Sequence, residues 1–496
     1  MITADWFKNK RVTVMGLGLH GGGLGMAKWL LRHGARLTVT DLRDQHILAP
    51  SMSELERTFL VEVRKRGKQN IHRIRYVLGR HDDADFEGAE MVIRNPAVPR
   101  GNPFIALAIK NRVPVESDIS IFFLLCPFPI TAISGTKGKT TTTTLLATIA
   151  KAHDKRTMVG GNIRISPFDA LDRLLALAKK RNVVAPPIVL ELSSWQLEGL
   201  ESHRVSPHIG ILTNIMEDHL NRYDGMDDYA RAKEILLAYQ NTGDVAVVNA
   251  DEPRSAAIGA HRGGIMNAPH AGARLWFSAK PLARGRDGAF VRGKSAIFRI
   301  EKEESALFPI TAIKLRGKHN IGNVLAAVAA ALAMGIPLKT IRRVVFAFRS
   351  VPYRLEDIGT KHGVRFVNDT TATAPDATIA ALETFGAKKK RIVLISGGAD
   401  KSLTFSAWAR AVKKHVKHLV LFDGTATPKM EAALAKAGVR VPTAGVRSMR
   451  EAVSDAVLHA RKGDIVLLSP GCASFGVFQN EFDRGDQFNN IVKKLR

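Results

Sequence analysis

The chain has 496 residues, of which 45% are hydrophobic and 24% charged, so it suffices for about three globular domains and is not intrinsically disordered. Lysine and arginine (73) exceed aspartate and glutamate (46), and the net charge of +27 raises the question of a polyanionic partner. Two cysteines exclude a disulfide framework, and neither a signal segment nor a run of about 18 apolar residues is found. We therefore expect a soluble cytoplasmic protein.

Short apolar runs alternate with helical periodicity along the chain, a pattern typical of parallel sheets covered by helices. We predict three such α/β domains, over residues 1–126, 127–349 and 350–496. The strand-like runs include RVTVM and LTVTD in the first domain, PITAIS and HIGIL in the second, and RIVLISG in the third. Between about residues 261 and 315, Gly-rich turns separate short alternating runs, which indicates an antiparallel hairpin insertion in the second domain.

A glycine-rich turn opens the first predicted βα unit. Gly16, Gly18 and Gly21 have the spacing G-x-G-x-x-G, and Asp41 ends the next strand. Such glycines bring backbone N–H groups close to a diphosphate, and the acidic side chain can accept hydrogen bonds from a ribose. The motif serves any nucleotide diphosphate, so it predicts a Rossmann-like domain without identifying the nucleotide.

The segment SGTKGKTT, residues 134–141, directly follows an apolar strand and directly precedes a helix, as a phosphate loop does. Gly135 and Gly138 let backbone N–H groups face phosphate oxygens, Lys139 can reach the outer phosphates, and the Thr140 hydroxyl can bind Mg²⁺. Ile133 replaces the first glycine of the usual G-x-x-x-x-G-K-[ST] pattern, so the loop is a variant. We expect ATP to bind these positions and their neighbours Thr136, Lys137 and Thr141.

Two polar side chains follow other predicted strands of the second domain. Glu191, after the run PIVL, could bind the magnesium ion of an ATPase. His219, in NIMEDHLNRY, could bind a metal ion or a phosphate. Taken alone, a glutamate at a strand end is more often a solvated terminus, and an isolated histidine more often makes a local hydrogen bond, so neither residue by itself identifies a metal site.

Taken in order, nine segments resemble the Mur ligases of peptidoglycan synthesis: SGTKGKTT, ELSSWQLE, DHLNRY, YARAK, RGKHNIGN, PYRLE, NDTTAT, GGADKS and SPGCASF. The resemblance extends from Arg11 to the C-terminus. It implies a Rossmann-like domain for the UDP part, a central P-loop ATPase domain and a C-terminal Rossmann-like α/β domain for the amino acid. The implied reaction adds glutamate, with the D-isomer favoured, to UDP-N-acetylmuramoyl-L-alanine through an acyl phosphate, releasing ADP and phosphate.

The resemblance also implies the cofactors and the site residues of the first two domains. ATP and two Mg²⁺ ions would bind, and CO₂ would carbamylate Lys233. The implied catalytic residues are Lys139, His219 and Lys233. The implied metal ligands are Thr140, Glu191, His219 and Lys233. Outside the phosphate loop, the implied ATP-binding residues are Asn320, Asn323, Arg354 and Asp369. For the UDP substrate they are Gly18, Leu19, His20, Asp41, Arg43, Asn162 and His219.

The amino-acid site is where the chain departs from the family pattern. The implied glutamate-binding residues are Thr371, Thr373, Lys401, Ser474 and Phe482. D-glutamate ligases commonly have a lysine where Thr371 stands, a histidine at Tyr353 and an aspartate at Gly476. Because the change at Thr371 removes a cation near a dianionic acceptor, the choice between D- and L-glutamate stays open.

Two further interpretations stay open beside this one. A folylpolyglutamate synthase or another Mur-type ligase would share the phosphate loop and Lys233, but a folate ligase does not begin with a separate nucleotide-type domain. A basic P-loop protein bound to nucleic acid is suggested by the net charge alone, since the basic clusters are scattered and lack interleaved aromatic residues. We expect small-molecule partners, no stable nucleic-acid partner, no membrane insertion and a monomer.

Overall fold

The structure is a computed structural model that describes residues 2–19, 21–67, 71–99, 101–218, 222–260, 272–315, 317, 319–349, 351–386, 390–400, 403–439, 445–474 and 476–495. The chain forms two compact units. One consists of Met1–Ile313 with Lys318–Phe346, and it contains two β-sheets. The other consists of Lys314–Gly317 with Ala347–Arg496, and it contains the third sheet. The predicted α/β architecture with three sheets is confirmed.

The first sheet is parallel, with five strands in the order β3-β2-β1-β4-β5. Its strands are β1 (Arg11–Met15), β2 (Arg36–Asp41), β3 (Arg75–Leu78), β4 (Met91–Arg94) and β5 (Val115–Glu116). Its helices are α1 (Gly22–Arg32), α2 (Gln45–Arg66), α3 (Ala84–Glu87), α4 (Pro103–Lys110) and α5 (Asp118–Leu125), with a 3₁₀ turn at Ala4–Phe7. The order of the strands reverses between β1 and β4, so the predicted glycine turn lies where such sheets bind nucleotides.

The second sheet has nine strands in the order β14-β13-β12-β11-β10-β9-β6-β8-β7. They are β6 (Thr131–Ser134), β7 (Met158–Gly161), β8 (Ile188–Glu191), β9 (Ile209–Leu212), β10 (Val245–Asn249), β11 (Ala273–Ser278), β12 (Gly288–Arg292), β13 (Ser295–Ile300) and β14 (Glu303–Pro309). The helices are α6 (Lys139–His153), α7 (Phe168–Ala178), α8 (Ser194–Leu197), α9 (Met226–Ala238), α10 (Pro253–Ala260), α11 (His319–Ala333) and α12 (Leu338–Ala347). Two 3₁₀ turns cover Glu198–His203 and Ile310–Ala312. The parallel strands β6, β8 and β9 lie side by side, so their carboxyl ends meet at one edge.

The predicted hairpin insertion is an extension of this second sheet. Strands β12, β13 and β14 pair antiparallel, as predicted. The run ARLWFSA, however, forms β11, which pairs parallel with β10 and with β12. Trp276 and Phe277 of β11 are both buried, because β11 is an interior strand of the sheet rather than part of a separate hairpin.

The third sheet has six strands in the order β15-β16-β20-β17-β18-β19, and β15 is antiparallel to its neighbour. The strands are β15 (Glu356–Lys361), β16 (Val364–Asn368), β17 (Ile392–Gly397), β18 (Val416–Phe422), β19 (Gly445–Val446) and β20 (Ile465–Leu468). The helices are α13 (Pro375–Phe385), α14 (Ser406–His415), α15 (Thr427–Lys436), α16 (Met449–His459) and α17 (Glu481–Lys494). Apolar clusters cover both faces of this sheet and hold its strands in place. The polar residues that directly follow the strands are positioned by this packing.

None of the helices in the described part of the chain is both long enough and apolar enough to cross a membrane.

Candidate active site

The phosphate loop connects β6 with α6 and requires glycine at two positions. Gly135 (φ 144°) and Gly138 (φ 85°) have backbone conformations that residues with side chains rarely adopt. A Cβ atom on Gly135 would lie 1.9 Å from Thr213 Oγ1, and one on Gly138 would lie 2.3 Å from Asn323 Oδ1. The loop is therefore packed directly against the end of β9 and against α11.

Two residues after β9 hold the phosphate loop in place. The backbone N–H groups of Thr136 and Lys137 donate to Asn214, to its carbonyl oxygen and to its Oδ1, both at 2.8 Å. Thr213 Oγ1 donates to the carbonyl oxygen of Lys137 at 2.7 Å. Sequence analysis did not single out Thr213 and Asn214. The signal was a polar pair directly after the buried strand HIGIL, at the same sheet edge as the loop.

Two lysines converge on the loop from different helices. Lys139 Nζ donates to the carbonyl oxygens of Gly135 and Thr136, at 2.9 and 3.0 Å. Lys233 Nζ, on α9, donates to the same Gly135 oxygen at 3.1 Å. Lys233 is 1% exposed, and its burial lowers its pKa well below the usual range, with the Lys139 charge adding to this and Asp218 opposing it. A lysine whose pKa is lowered has a larger fraction of neutral, nucleophilic amine at neutral pH than an ordinary lysine.

Glu191 offers a ligand atom for a divalent cation. It ends β8 and is the register partner of Ile133 on β6, directly before the phosphate loop. Its Oε1 accepts a hydrogen bond from Asn162 Nδ2 at 2.9 Å, while its Oε2 is buried and has no hydrogen-bond partner among the described residues. Buried carboxylate oxygens are rarely left unsatisfied, and a magnesium ion would satisfy this one. The donor set thus fits Mg²⁺, with Thr140 in the first turn of α6.

The predicted asparagine pair lies on one face of α11, against the phosphate loop. Asn320 and Asn323 are both buried, and Asn323 Nδ2 donates to Asn320 Oδ1 at 2.8 Å. Because the Asn323 amide also abuts Gly138, the pair is close to the start of α6. Two buried amides beside a phosphate loop can offer both donors and acceptors to a nucleotide.

The UDP-site residues predicted in the first sheet gather around the glycine turn. Asp41 is buried, and its carboxylate accepts from the backbone N–H groups of Gly18, at 3.3 Å, and Arg43, at 3.0 Å. A cavity of about 280 Å³ lies between α1 and the loop that follows β7, and its lining includes Leu19 and Arg164. Asn162 belongs to that same loop.

Arg222 connects the loop after β4, in the first sheet, to the segment after β8, in the second sheet. Its Nη2 and Nη1 donate to the carbonyl oxygens of Pro96 and Ala97, at 2.9 and 3.2 Å, in the loop after β4. Its guanidinium also lies 4.3 Å from the ring centroid of Trp195 and 3.7 Å from Glu198 Oε2. Sequence analysis quoted both ELSSWQLE and DHLNRY but did not predict this contact between them.

In the other unit, Asp369 directly follows β16. Its Oδ2 accepts from Ser469 Oγ at 2.8 Å, and its Oδ1 accepts from the Leu355 N–H at 3.1 Å. Burial raises the pKa of Asp369 to about 7, against the opposing effect of these hydrogen bonds and of Arg354, which is exposed. Arg354 is therefore close enough to Asp369 to act on its charge.

Two of the predicted glutamate-binding residues, Thr371 and Phe482, contact Tyr353 in the same unit. Thr371 Oγ1 donates to the Tyr353 carbonyl oxygen at 2.9 Å, and the Tyr353 ring lies 5.3 Å from that of Phe482, edge to face. Thr373 N–H donates to the Thr371 carbonyl oxygen at 2.9 Å. Ser474 is 2% exposed.

A buried arginine, Arg484, donates hydrogen bonds to Thr370, next to Thr371. Sequence analysis did not predict this contact. Arg484 is fully buried, and its Nε and Nη2 donate to Thr370 Oγ1 and to the Thr370 carbonyl oxygen, at 3.0 and 2.8 Å. Burial lowers its pKa to about 10.

Three predicted site residues, His20, His219 and Lys401, lie outside the described residues.

Three family models match successive parts of the chain. The Mur ligase MurD-like N-terminal domain matches residues 10–117, the Mur ligase middle domain matches residues 133–331, and the Mur ligase glutamate ligase domain matches residues 353–472. Together they extend over most of the chain.

Several relatives match the chain over almost its full length. A protein of Roseiflexus sp. (strain RS-1) named UDP-N-acetylmuramoylalanine–D-glutamate ligase is 43% identical over 493 residues, covering 98% of this chain and 99% of the relative. Proteins of the same name from Symbiobacterium thermophilum and Borreliella afzelii are 35% and 34% identical, each covering at least 98% of both chains.

Solved structures share the fold at lower identity. The UDP-N-acetylmuramate–alanine ligase of Thermotoga maritima has a TM-score of 0.57 at 19% identity, covering 98% of this chain and 100% of that chain. The UDP-N-acetylmuramoylalanyl-D-glutamyl-2,6-diaminopimelate–D-alanyl-D-alanyl ligase of Acinetobacter baumannii has a TM-score of 0.55 at 18% identity, covering 98% and 93%.

Proposed function

The chain belongs to the Mur ligase family, and from this we propose that it joins D-glutamate to UDP-N-acetylmuramoyl-L-alanine with cleavage of ATP to ADP and phosphate. The observation that carries the proposal is the full-length match, at 43% identity, to a relative named for this reaction. The phosphate loop with its two converging lysines supports the ATP-dependent part of the reaction.

The reaction has two bond-forming steps. A carboxylate oxygen of the alanyl group attacks the γ-phosphorus of ATP, and ADP leaves, which gives an acyl phosphate. The neutral amine of glutamate then attacks the acyl carbon, phosphate leaves, and the nitrogen loses a proton as the amide forms. Negative charge accumulates on the transferring phosphoryl group, so donors that are already in position lower the barrier. In this chain we assign that role to Lys139, at the start of α6.

We assign the metal ligands to Thr140, Glu191, His219 and Lys233, for two Mg²⁺ ions. When bound, Mg²⁺ neutralises phosphate charge and fixes the phosphate geometry. The buried Oε2 of Glu191, which has no hydrogen-bond partner in the part of the chain that the structure describes, supports this assignment. His219 would in addition contact the substrate carboxylate.

We propose that Lys233 is carbamylated. The neutral amine attacks CO₂, a C–N bond forms, and one proton is released, so that an uncharged amine becomes an anionic carbamate. The depressed pKa of Lys233 supports the required neutral form. The nearby Lys139 would then face an anion instead of a second potential cation, and the carbamate oxygens could bind a metal ion.

We further propose that residues 1–126 bind the UDP part, residues 127–349 bind ATP, and residues 350–496 bind the amino acid. Each of the three family-model matches lies inside one of these ranges. UDP-substrate binding is assigned to Gly18, Leu19, His20, Asp41, Arg43, Asn162 and His219. ATP binding outside the phosphate loop is assigned to Asn320, Asn323, Arg354 and Asp369. Glutamate binding is assigned to Thr371, Thr373, Lys401, Ser474 and Phe482. We also propose that the enzyme is a cytoplasmic monomer.

Phosphate release from ATP tests the proposal. With UDP-N-acetylmuramoyl-L-alanine, bicarbonate and Mg²⁺ present, the folded protein should release phosphate with D-glutamate and form the amide product seen by mass spectrometry. Thr371 favours one second candidate, the same ligase with L-glutamate as its acceptor, so the assay includes both isomers. Failure to release phosphate with either isomer would contradict the ligase assignment.

A further inference from the structure

A cluster of two histidines and one aspartate lies outside the proposed active site. His418 is on β18, while Asp455 and His459 are one turn apart on α16. One ligand atom from each of the three residues lies within 4.8 Å of the others. His418 Nε2 is 2.7 Å from Asp455 Oδ1, and His459 Nδ1 is 3.5 Å from the same oxygen. We propose that these three residues bind a divalent transition-metal ion such as Zn²⁺.

The ligand set decides the class of metal. Two imidazole nitrogens and one carboxylate oxygen suit Zn²⁺, Co²⁺ or Ni²⁺, whereas Mg²⁺ and Ca²⁺ prefer an all-oxygen shell. Asp455 and His459 have the i, i+4 spacing that places two side chains on one face of a helix. Three protein ligands leave one position of a tetrahedral ion for water.

One of the three proposed ligands, His418, is held in position without a metal ion. His418 is 6% exposed, and its strand neighbours Val420 and Phe422 share an apolar cluster with residues of α16. One ligand is therefore fixed by the core. A tetrahedral zinc ion would need about 3.4 Å between His418 Nε2 and Asp455 Oδ1, so their hydrogen bond would open by about 0.7 Å. The Asp455 side chain is 25% exposed and has room for this shift.

His459 must also rotate to complete the site. Its ring stacks on that of His418 with centroids 3.7 Å apart and planes 10° from parallel. One ion cannot lie in both planes while the rings are stacked. The His459 side chain is 42% exposed at the end of α16, so it can turn its Nδ1 away from the Asp455 carbonyl oxygen, 3.0 Å away, and towards the ion. The bound ion would then tie α16 to β18.

This position separates the proposed metal site from catalysis. His418 pairs with Val393 near the amino ends of the strands, whereas Asp369 and Ser469 follow the carboxyl ends of β16 and β20. The register places the two sites three residues apart along the sheet, about 10 Å. Metal binding should therefore change the stability of this unit and leave ligase turnover unchanged.

The proposal is tested by titrating the full-length protein with Zn²⁺ and measuring the heat of binding by calorimetry. Excess Mg²⁺ is present to saturate the magnesium sites. We expect one Zn²⁺ per chain with micromolar affinity, and Co²⁺ should give the visible absorption of a tetrahedral complex. His459→Ala and Asp455→Asn should each weaken Zn²⁺ binding about tenfold or more. His153→Ala, which removes an exposed histidine from the last turn of α6, should not weaken it.

Thermal unfolding gives a second readout that does not depend on activity. Zn²⁺ should raise the Tm of the parent and of His153→Ala more than that of His459→Ala, because a ligand stabilises the state that binds it in proportion to its affinity. Zn²⁺ affinity should fall at acidic pH, since a protonated imidazole is not a ligand. Equal Zn²⁺ affinity in the parent and His459→Ala would overturn the proposal. So would the finding that the cluster is only a hydrogen-bonded trio, with Asp455→Asn lowering the Tm but the parent showing no response to Zn²⁺.

Discussion

Lys139 and Lys233 donate hydrogen bonds to the same acceptor, the carbonyl oxygen of Gly135, at 2.9 and 3.1 Å. Two ammonium groups that share one oxygen repel each other, and Lys233 is the buried member of the pair. Burial is the main cause of the lowered pKa of Lys233, and the charge of Lys139 at the shared oxygen adds to it. A carbamate on Lys233 would turn this repulsion into attraction.

Lys139→Ala should abolish turnover with little loss of stability. Its Nζ donates to the loop carbonyl oxygens of Gly135 and Thr136, and its side chain is only partly buried. Loss of a cation at the transferring phosphoryl group should lower kcat by about 10²-fold or more. Steady-state kinetics and thermal unfolding measure the two effects. Lys151→Ala, at the exposed end of the same helix, is the control, and comparable activity in the Lys139 variant and the parent would refute the assignment.

Lys233→Ala should remove a carbamate that is detectable in the parent. After exchange with ¹³CO₂, the parent should show a carbamate carbon in its NMR spectrum, and Lys151→Ala should retain it. Because carbamylation needs the neutral amine, the depressed pKa of Lys233 should let the signal persist at pH values where an ordinary lysine amine is protonated. Depletion of CO₂ should lower the activity of the parent, and bicarbonate should restore it. A parent without a carbamate signal would contradict the proposal.

The sequence predicted those parts of the site whose residues lie close together along the chain. The phosphate loop was recognisable because Gly135, Gly138 and Lys139 lie within one strand–loop–helix segment. The supports of this loop were not, because Thr213 and Asn214 lie more than seventy residues away and meet it only when β6 and β9 pair. Hydrophobic periodicity and residue spacing within one segment predict its local geometry, but they do not predict which strands pair in the sheet.

The same reason explains why the antiparallel pairing predicted for the run ARLWFSA in the second sheet was wrong. Its alternating pattern is typical of an edge hairpin, and the sequence alone could not show that this run pairs parallel with β10. The burial of Trp276 and Phe277 follows from that pairing rather than from their local pattern.

Thr371→Lys should change the handling of glutamate more than that of ATP. The substitution restores a cation in the proposed amino-acid site and removes the hydrogen bond from Thr371 to the Tyr353 carbonyl oxygen. A cation close to a dianionic substrate is worth about 1 kcal/mol or more, so the KM for glutamate or the ratio of D- to L-isomer use should shift about fivefold or more. Thr360→Lys adds the same charge on exposed β15 as a control. Unchanged KM for both isomers would remove Thr371 from the specificity argument.

Asp369→Asn should stabilise the C-terminal unit more at alkaline than at acidic pH. The pKa of Asp369 is about 7 in the folded protein against 3.8 ordinarily, so folding favours its protonated form. The associated stability is fully present below about pH 4 and is lost as the pH rises to about 7, a change on the order of 4 kcal/mol. Asparagine removes this loss. Chemical unfolding at several pH values measures it, with Asp376→Asn, an exposed carboxyl, as the control; a gain that does not vary with pH would contradict the raised pKa.

Arg222→Ala should weaken binding of the UDP substrate while leaving ATP binding nearly unchanged. Arg222 holds the carbonyl oxygens of Pro96 and Ala97. The preceding residue, Asn95, donates from Nδ2 to the Gly16 carbonyl oxygen at 3.1 Å, so the contact continues into the glycine turn. Without Arg222, the loop after β4 loses its tie to the second sheet, and the turn loses its orientation.

The KM values distinguish this positioning effect from general damage. We expect the KM for the UDP substrate to rise about tenfold in Arg222→Ala, because the hydrogen bonds of a charged donor to the loop after β4 are lost, while the KM for ATP changes less than about twofold. Arg222→Lys should recover only part of the loss, since a lysine lacks the planar fork that reaches both carbonyl oxygens and stacks on Trp195. Arg173→Ala, an exposed arginine on α7, should leave both KM values unchanged. Equal rises in both KM values would mean that Arg222 supports the fold of the whole unit rather than the UDP site.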